Sequence, residues 1–352
     1  MILLFMSLED LAFKFKRYGA TVDLYSANGS ILISEYGGRI IGVSVNGSPN
    51  LLWVNPNLEK VLEDGGFNVG GLRVWVSPER NFFYKNPEVF GEWFCPSELD
   101  PGNFRIVDFT KSSATLESKF KLRDILNNEL LNITIVRDIV VEDADDCGLA
   151  IHVRESLIAS GFRKSRISLW ALAQVYPGRG GIGTVAVPVR RKAEPIHYFG
   201  PIPKNRLKVT DNHIAFLIDG GHVCKLGVKP EDFRFRGWAS IGYFAEAPWS
   251  DGKAFIITME TCCAPRFQAE CLDVAKADPE GAKAAVQSYN SGPNAEWLKF
   301  GEIELQFPAS TLTNGIQFST ASYTVKAYVG GLEETLEKFR EVLKISNIYP
   351  LQ

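Results

Sequence analysis

The segment Gly65–Arg80 (GGFNVGGLRVWVSPER) sets Arg73, Trp75, Glu79 and Arg80 on a glycine-rich approach to a strand that ends in a proline turn. An arginine, an indole and a carboxylate this close together suit a sugar. The cation and the carboxylate bond hydroxyls, and the ring face packs against C–H groups. A second segment, Gly301–Ala309 (GEIELQFPA), places Glu302 and Glu304 on alternate positions of a strand, so both point to one face. By alternation alone they are equally the solvent face of an edge strand. Together the two segments predict a carbohydrate site on a large β-fold.

Other side chains are candidates for the same site. Lys225 alternates with Cys224 and Leu226 in an apolar strand. It must point to solvent or to a polar cavity, where it would bind a hydroxyl or a carboxylate. Arg73 is either a pocket cation or the partner of a nearby acid such as Glu79. Of the four histidines, His197 lies in a proline-framed loop before Tyr198 and Phe199, a favourable place for a pocket. His213 and His222 flank a hairpin at a separation that fits no common metal-ligand spacing. Trp75 and Trp93 sit near charged residues in Pro/Gly-rich loops and are the two tryptophans nominated as stacking platforms.

The elements that must carry these residues are strands. Thr21–Tyr25, Ser30–Glu35 and Arg39–Val45 are short β-rich runs separated by Asn28-Gly29, Gly37-Gly38 and Asn46-Gly47, dipeptides that supply the positive φ of tight turns. Ser113–Leu122 and Leu131–Val141 read as a long antiparallel pair. Later strands are expected at Leu149–Leu157, Ile167–Tyr176, Thr184–Val189, His213–Ile218, Val223–Val228, Ser240–Phe244, Ala254–Thr261, Trp297–Phe307 and Gln317–Val329. Helical spacing is limited to a turn set after Ser7, a candidate at Pro279–Ser288, and Leu332–Leu343, whose Leu332, Leu336, Phe339 and Leu343 share one face. The expected fold is an all-β, large antiparallel sandwich formed by one domain over residues 1–352. Its core spans about 18–330 and a C-terminal helix covers 332–344.

Composition excludes several classes. The 352 residues are 45% apolar and 22% charged, with a net charge of −3, so nothing favours nucleic acid or an anionic membrane. The N-terminal MILLFM lacks the basic leader and cleavage site of a secretory signal, and no run reaches the ~18 apolar residues of a membrane span. A cytoplasmic location is expected. The six cysteines show no CxxC, and the neighbours Cys262 and Cys263 leave one disulfide open. No metal or cofactor is expected. GGLRVWV is not followed by the helix that a dinucleotide fingerprint requires.

Taken in order, these motifs resemble the galactose mutarotase-like (aldose 1-epimerase-like) superfamily. Ser34–Pro56 is similar to its opening strands with their Gly-Gly-Arg turn, and Gly70–Glu79 to its arginine-bearing pocket segment. The Trp-x-x-Pro-Glu ending here looks like divergent branches rather than true galactose mutarotases. Ile303–Pro308 resembles the segment that holds the catalytic glutamate. The resemblance implies an antiparallel supersandwich, Glu304 as the general base, and a small carbohydrate as partner. It also aligns Ser168–Val175 with the strand that carries the superfamily's acid histidine. No histidine stands there, and Gln174 on that strand is counted among the substrate-binding residues.

The expected function is therefore proton transfer on a sugar by an aldose 1-epimerase-like isomerase. Glu304 is its base, with His197 and Glu79 as further catalytic candidates. Arg73, Trp75, Trp93, Gln174, His213, His222 and Lys225 are the binding candidates. Two alternatives stand beside it. One is a polysaccharide lyase or glycoside hydrolase that uses Glu79 and Glu304 as an acid–base pair. The other is a carbohydrate-binding protein without catalysis.

Overall fold

A computed structural model describes residues 5–145, 147–293, 298–348 and 350–351. Among them, two large antiparallel sheets face each other. One has the strand order Thr21–Tyr25, Gly29–Ser34, Arg39–Val45, Leu72–Ser77, Ser168–Val175, Gly301–Gln306, Val286–Asn290, Cys224–Val228 and Ile196–His197. The other centres on four long neighbours, Ile316–Gly331, Gly148–Ser160, Glu129–Ala144 and Ser113–Asp124. This is the antiparallel sandwich the strand count predicts.

Period-two alternation explains how the sheets meet. Val74 and Val76, Leu169, Ala171 and Ala173, and Ile303 and Leu305 all join one apolar cluster between the sheets. That cluster runs in sequence from Leu24 to Ala327. The intervening residues of the same strands point to the opposite face of the first sheet.

A fully buried polar knot ties the layers together. Arg137 Nη2 lies 3.0 Å from Glu155 Oε1, and neither side chain is exposed. The two residues are direct partners on adjacent strands. The Tyr323 hydroxyl donates to the same carboxylate oxygen at 2.9 Å, and Arg137 Nη1 donates to the carbonyl of Gly38, in the turn that opens the Arg39–Val45 strand. Burial raises the Glu155 pKa, an effect that Arg137 and Tyr323 oppose.

The two longer helices fall where the 3.6-residue period places them. Ser7 caps Leu8–Phe15 and forms a reciprocal capping box with Asp10. Leu332–Leu343 lays Phe339 and Leu343 on the outer face of the second sheet, with Phe339 5.9 Å from the Phe244 ring. Leu332 is exposed over about a third of its surface, and Thr335 takes the buried place near the helix start.

Several expectations change. Pro279–Ser288 is not a helix: turns lead into the strand Val286–Asn290, which pairs with Gly301–Gln306. Its alanines suit a helix, but sheet pairing on both sides overrides that weak preference. Gly29 has no positive φ; a Cβ there would stand 2.3 Å from the Ser44 carbonyl oxygen, so close approach of two strands is what requires glycine. The strand expected from Trp297 is described from Gly301, and Trp297 lies outside the described residues. The short helix Leu58–Glu63 was not expected. All six cysteines are free, with Cys262 Sγ and Cys263 Sγ 4.0 Å apart. No helix among the described residues is long and apolar enough to cross a membrane.

The knot allows a stability test. Arg137→Met leaves Glu155 buried with only the Tyr323 hydroxyl, and should lower unfolding free energy by about 3–5 kcal/mol. Arg137→Met with Glu155→Leu removes both charges and should regain most of that loss. Urea denaturation of the two variants measures it; a double variant as unstable as the single one would contradict this account.

Candidate functional site

The glycine-rich approach brings the arginine strand tightly against its neighbours. Gly70 and Gly71 have φ of +110° and +84°, and a Cβ on them would lie 2.1 Å from the Trp53 oxygen and 2.5 Å from the Ile40 oxygen. Only glycine tolerates both demands. The following strand, Leu72–Ser77, then presents Arg73 and Trp75 on the face that lines a cavity.

Registers across the sheet assemble the site from this face. Leu172 pairs with Arg73 on one side and Glu304 on the other, and Gln174 pairs with Glu302. Glu302 pairs onward with Tyr289, and Tyr289 with Lys225. Residues far apart in sequence thus meet on five adjacent strands. They open into a cavity of about 860 Å³ lined by Arg73, Trp75, Glu79, Trp93, Trp170 and Gln174, with Lys225, Tyr289 and Glu302 beside them.

Two ion pairs form its floor. Arg73 Nη2 lies 2.7 Å from Glu302 Oε1, and the guanidinium sits 4.0 Å above the Trp75 ring. Lys225 Nζ lies 3.0 Å from Glu304 Oε2, between the Trp170 ring at 4.6 Å and the Tyr198 ring at 5.3 Å. Trp170 Nε1 donates to the same Glu304 oxygen at 3.0 Å. Arg73 Nε and Nη1, Gln174 Oε1 and Glu304 Oε1 have no hydrogen-bond partner among the described residues.

Hydrogen bonds behind the walls fix the aromatic rings and Glu79. Trp75 Nε1 donates to Asp100 at 2.7 Å, and Asp100 is held by the buried Arg39. Glu79 accepts from Trp93 Nε1 at 2.8 Å, and its own amide donates to Asp273 at 3.0 Å. Asp273 accepts in turn from Gln287 Nε2 at 2.9 Å.

Electrostatics follow from burial. Burial lifts the Glu304 pKa to about 7; Lys225 holds it down, and Glu302 adds to the rise. Glu79 is also raised, chiefly by loss of water, with Lys225 opposing. Burial works against the Lys225 ammonium, but Glu304, Glu79 and Asp273 outweigh it and raise its pKa.

The structure brings together Arg73, Trp75, Glu79, Trp93, Gln174 and Lys225. Glu304 joins them from below: it has no exposed surface and sits behind Lys225 instead of lining the cavity. The three nominated histidines stand apart. His197 Nδ1 accepts from the Ile202 amide at 2.9 Å, closing its own loop. His213 is buried on the other sheet against Thr210 and Asn212. His222 is exposed, and its carbonyl accepts from Asn290. Sequence reasoning passed over Trp170 and Tyr289. Trp170 shares the face of Gln174 by simple alternation, a readable signal, whereas Tyr289 was hidden by the mistaken helix.

The fold is that of the galactose mutarotase-like proteins. The solved structure of such a protein from Lactobacillus casei matches with a TM-score of 0.50 at 13% identity, over 88% of this chain and 100% of its own. That of a candidate aldose 1-epimerase from Escherichia coli K12 matches with a TM-score of 0.50 at 11% identity, over 89% of this chain and 99% of its own. At these identities the likeness is one of fold alone. A comparison with curated protein sequences finds no significant match. By sequence the chain belongs to a family of unknown function (DUF6786), matched over residues 8–347.

The raised Glu304 pKa has a testable consequence. A carboxyl whose folded pKa lies above its unfolded 4.5 binds protons better when folded. Its contribution to stability is full below pH 4.5 and is lost as pH rises through about 7. Between those limits the wild type should lose stability relative to Glu304→Gln, by on the order of 3 kcal/mol at most. Paired denaturation curves across the window check this; parallel pH dependences would refute it.

Proposed function

We propose that the cavity binds a sugar and that the protein is an aldose 1-epimerase-like enzyme moving protons at the anomeric centre. The observation that carries this reading is the Lys225–Glu304 pair set in the floor of an aromatic-walled cavity, with Glu79 on its wall. Opening a pyranose ring removes a proton from the anomeric hydroxyl and adds one to the ring oxygen; closing reverses both. Here the Lys225 ammonium gives its proton to the ring oxygen, and the Glu79 carboxylate takes the hydroxyl proton. Closure on the opposite face of the carbonyl returns each proton to its source. The cycle balances with no other reactant.

The remaining residues bind and orient. Glu304 keeps the ammonium charged and aimed, so the expected base acts through Lys225 and not on the sugar itself. Arg73 and Gln174 offer donor and acceptor atoms to hydroxyls, while the Trp75 and Trp170 rings meet C–H faces. A raised pKa makes Glu79 a stronger base than a surface carboxylate. The lyase or hydrolase alternative asks for two carboxyl groups flanking one glycosidic bond. Glu304, closed off behind Lys225, does not suit that arrangement.

Glu79→Gln and Lys225→Met should each lower kcat by about 10²–10⁴-fold with a smaller change in KM, because the protons move only in the transition state. The wild-type rate should rise with pH as Glu79 and Glu304 ionise, and Glu304→Gln should lose the part of that rise centred near 7 while keeping the part due to Glu79. Polarimetry or saturation-transfer NMR over a panel of aldoses, uronates and sugar phosphates reads these rates. A wild type that binds a sugar without speeding anomer exchange rejects the enzyme and leaves a binding protein. One that binds no sugar rejects both.

A further inference from the structure

The cavity is wider than one sugar ring needs, and two separate groups of its aromatic side chains stand towards opposite ends of the sheet face. One group is built on the arginine strand. Trp93 lies 6.3 Å from Trp75 and 5.5 Å from Phe67, and stacks on Phe83 at 6.2 Å with an interplanar angle of 17°. The other group stands towards the far edge of the sheet, where Phe199 meets Tyr289 at 6.3 Å. The strands bearing Trp75 and Tyr289 are separated by Ser168–Val175 and Gly301–Gln306. Three strand spacings of ~4.8 Å put them roughly 14 Å apart. Opposite carbons of a pyranose ring are closer together than two adjacent strands. Glu302 of the polar floor stands on one of these intervening strands, while Arg73 and Lys225 reach the floor from the strand of Trp75 and from the strand beyond Tyr289.

The outermost ring of each group is open to solvent. Trp93 is 41% exposed and Phe199 38%. The Trp93 indole is nevertheless held: its ring backs onto Phe83 and its nitrogen donates to Glu79. A fixed, half-exposed indole at a cavity rim is a surface on which a ring's C–H face can stack without loss of side-chain freedom.

We propose that the ligand is an oligosaccharide of at least two linked rings, not a free monosaccharide. One ring lies over the Arg73–Lys225 floor and the next stacks on Trp93. A third ring, where present, reaches Phe199. This inference rests on the sugar-binding reading above and adds the length of the substrate.

Microcalorimetry tests it with glucose, galactose and mannose, their linked oligomers of two to four units, and their p-nitrophenyl glycosides. Extending the best hexose by one ring should raise affinity about tenfold, the size of one added aromatic stacking contact. Trp93→Ala should cut the oligomer's affinity about tenfold more than the hexose's, while Trp93→Phe, which keeps a ring face and loses the bond to Glu79, should retain most of the oligomer's advantage. Far-ultraviolet circular dichroism establishes that both variants are folded. A hexose that binds as tightly as every oligomer overturns the proposal and leaves the sugar-binding reading intact. So does a gain given by the aryl glycosides alone. Failure of every sugar to bind overturns both.

Discussion

A carboxylate and an ammonium without water around them persist as charges only in each other's company. Lys225 and Glu304 meet this constraint on the floor of the cavity, 3.0 Å apart with almost no exposed surface. Removing either from water costs several kcal/mol, and only close geometry with further hydrogen bonds offsets it. The indole of Trp170 supplies one such bond, and the rings of Trp170 and Tyr198 flank the ammonium. Because the compensation is incomplete, Glu304 keeps a pKa of about 7. The rise is what burial leaves after its partner has acted.

The same rule organises the surroundings. Arg73 pairs with Glu302, and Arg39 with Asp100. Asp100 also accepts from Trp75, so a charge pair between the Arg39–Val45 strand and a loop fixes the plane of that indole. Asp273 does the equivalent for Glu79 by accepting from its backbone amide. The floor comes from five hydrogen-bonded strands of one sheet, so its side chains hold their spacing by backbone pairing. The wall comes from the turn at Glu79–Phe82 and the hairpin Tyr84–Asn86 with Gly91–Trp93.

How much of this was legible in the sequence depended on range. Arg73, Trp75 and Glu79 could be grouped because they share one short segment, and strand alternation put Glu302 and Glu304 on a common face. The sandwich itself followed from turn dipeptides and period-two runs. What no local pattern carried was the order of strands, and that order sets Lys225 beside Glu304. Histidine chemistry misled: His213 is on the second sheet, and His197 spends its ring nitrogen on a loop amide. Tyr289 was lost for another reason. The Ala-Lys-Ala-Ala run before it favours a helix in isolation, and pairing between Cys224–Val228 and Gly301–Gln306 reverses that preference.

The missing histidine gives the likeness to mutarotase folds its physical meaning. A shared sandwich fixes the backbone frame, but which atoms can exchange protons depends on single positions along its strands. On Ser168–Val175 the cavity face carries Trp170 and Gln174, neither of which titrates near neutrality. The ionisable groups of the floor lie instead on Gly301–Gln306 and Cys224–Val228, where an amine covers a carboxylate. Such a pair responds to anything that displaces water from above it. A ligand seated over Lys225 removes the remaining solvent and strengthens the attraction to Glu304, because the interaction scales inversely with the local dielectric. Binding and the ionisation of Glu304 are then linked through one 3.0 Å contact.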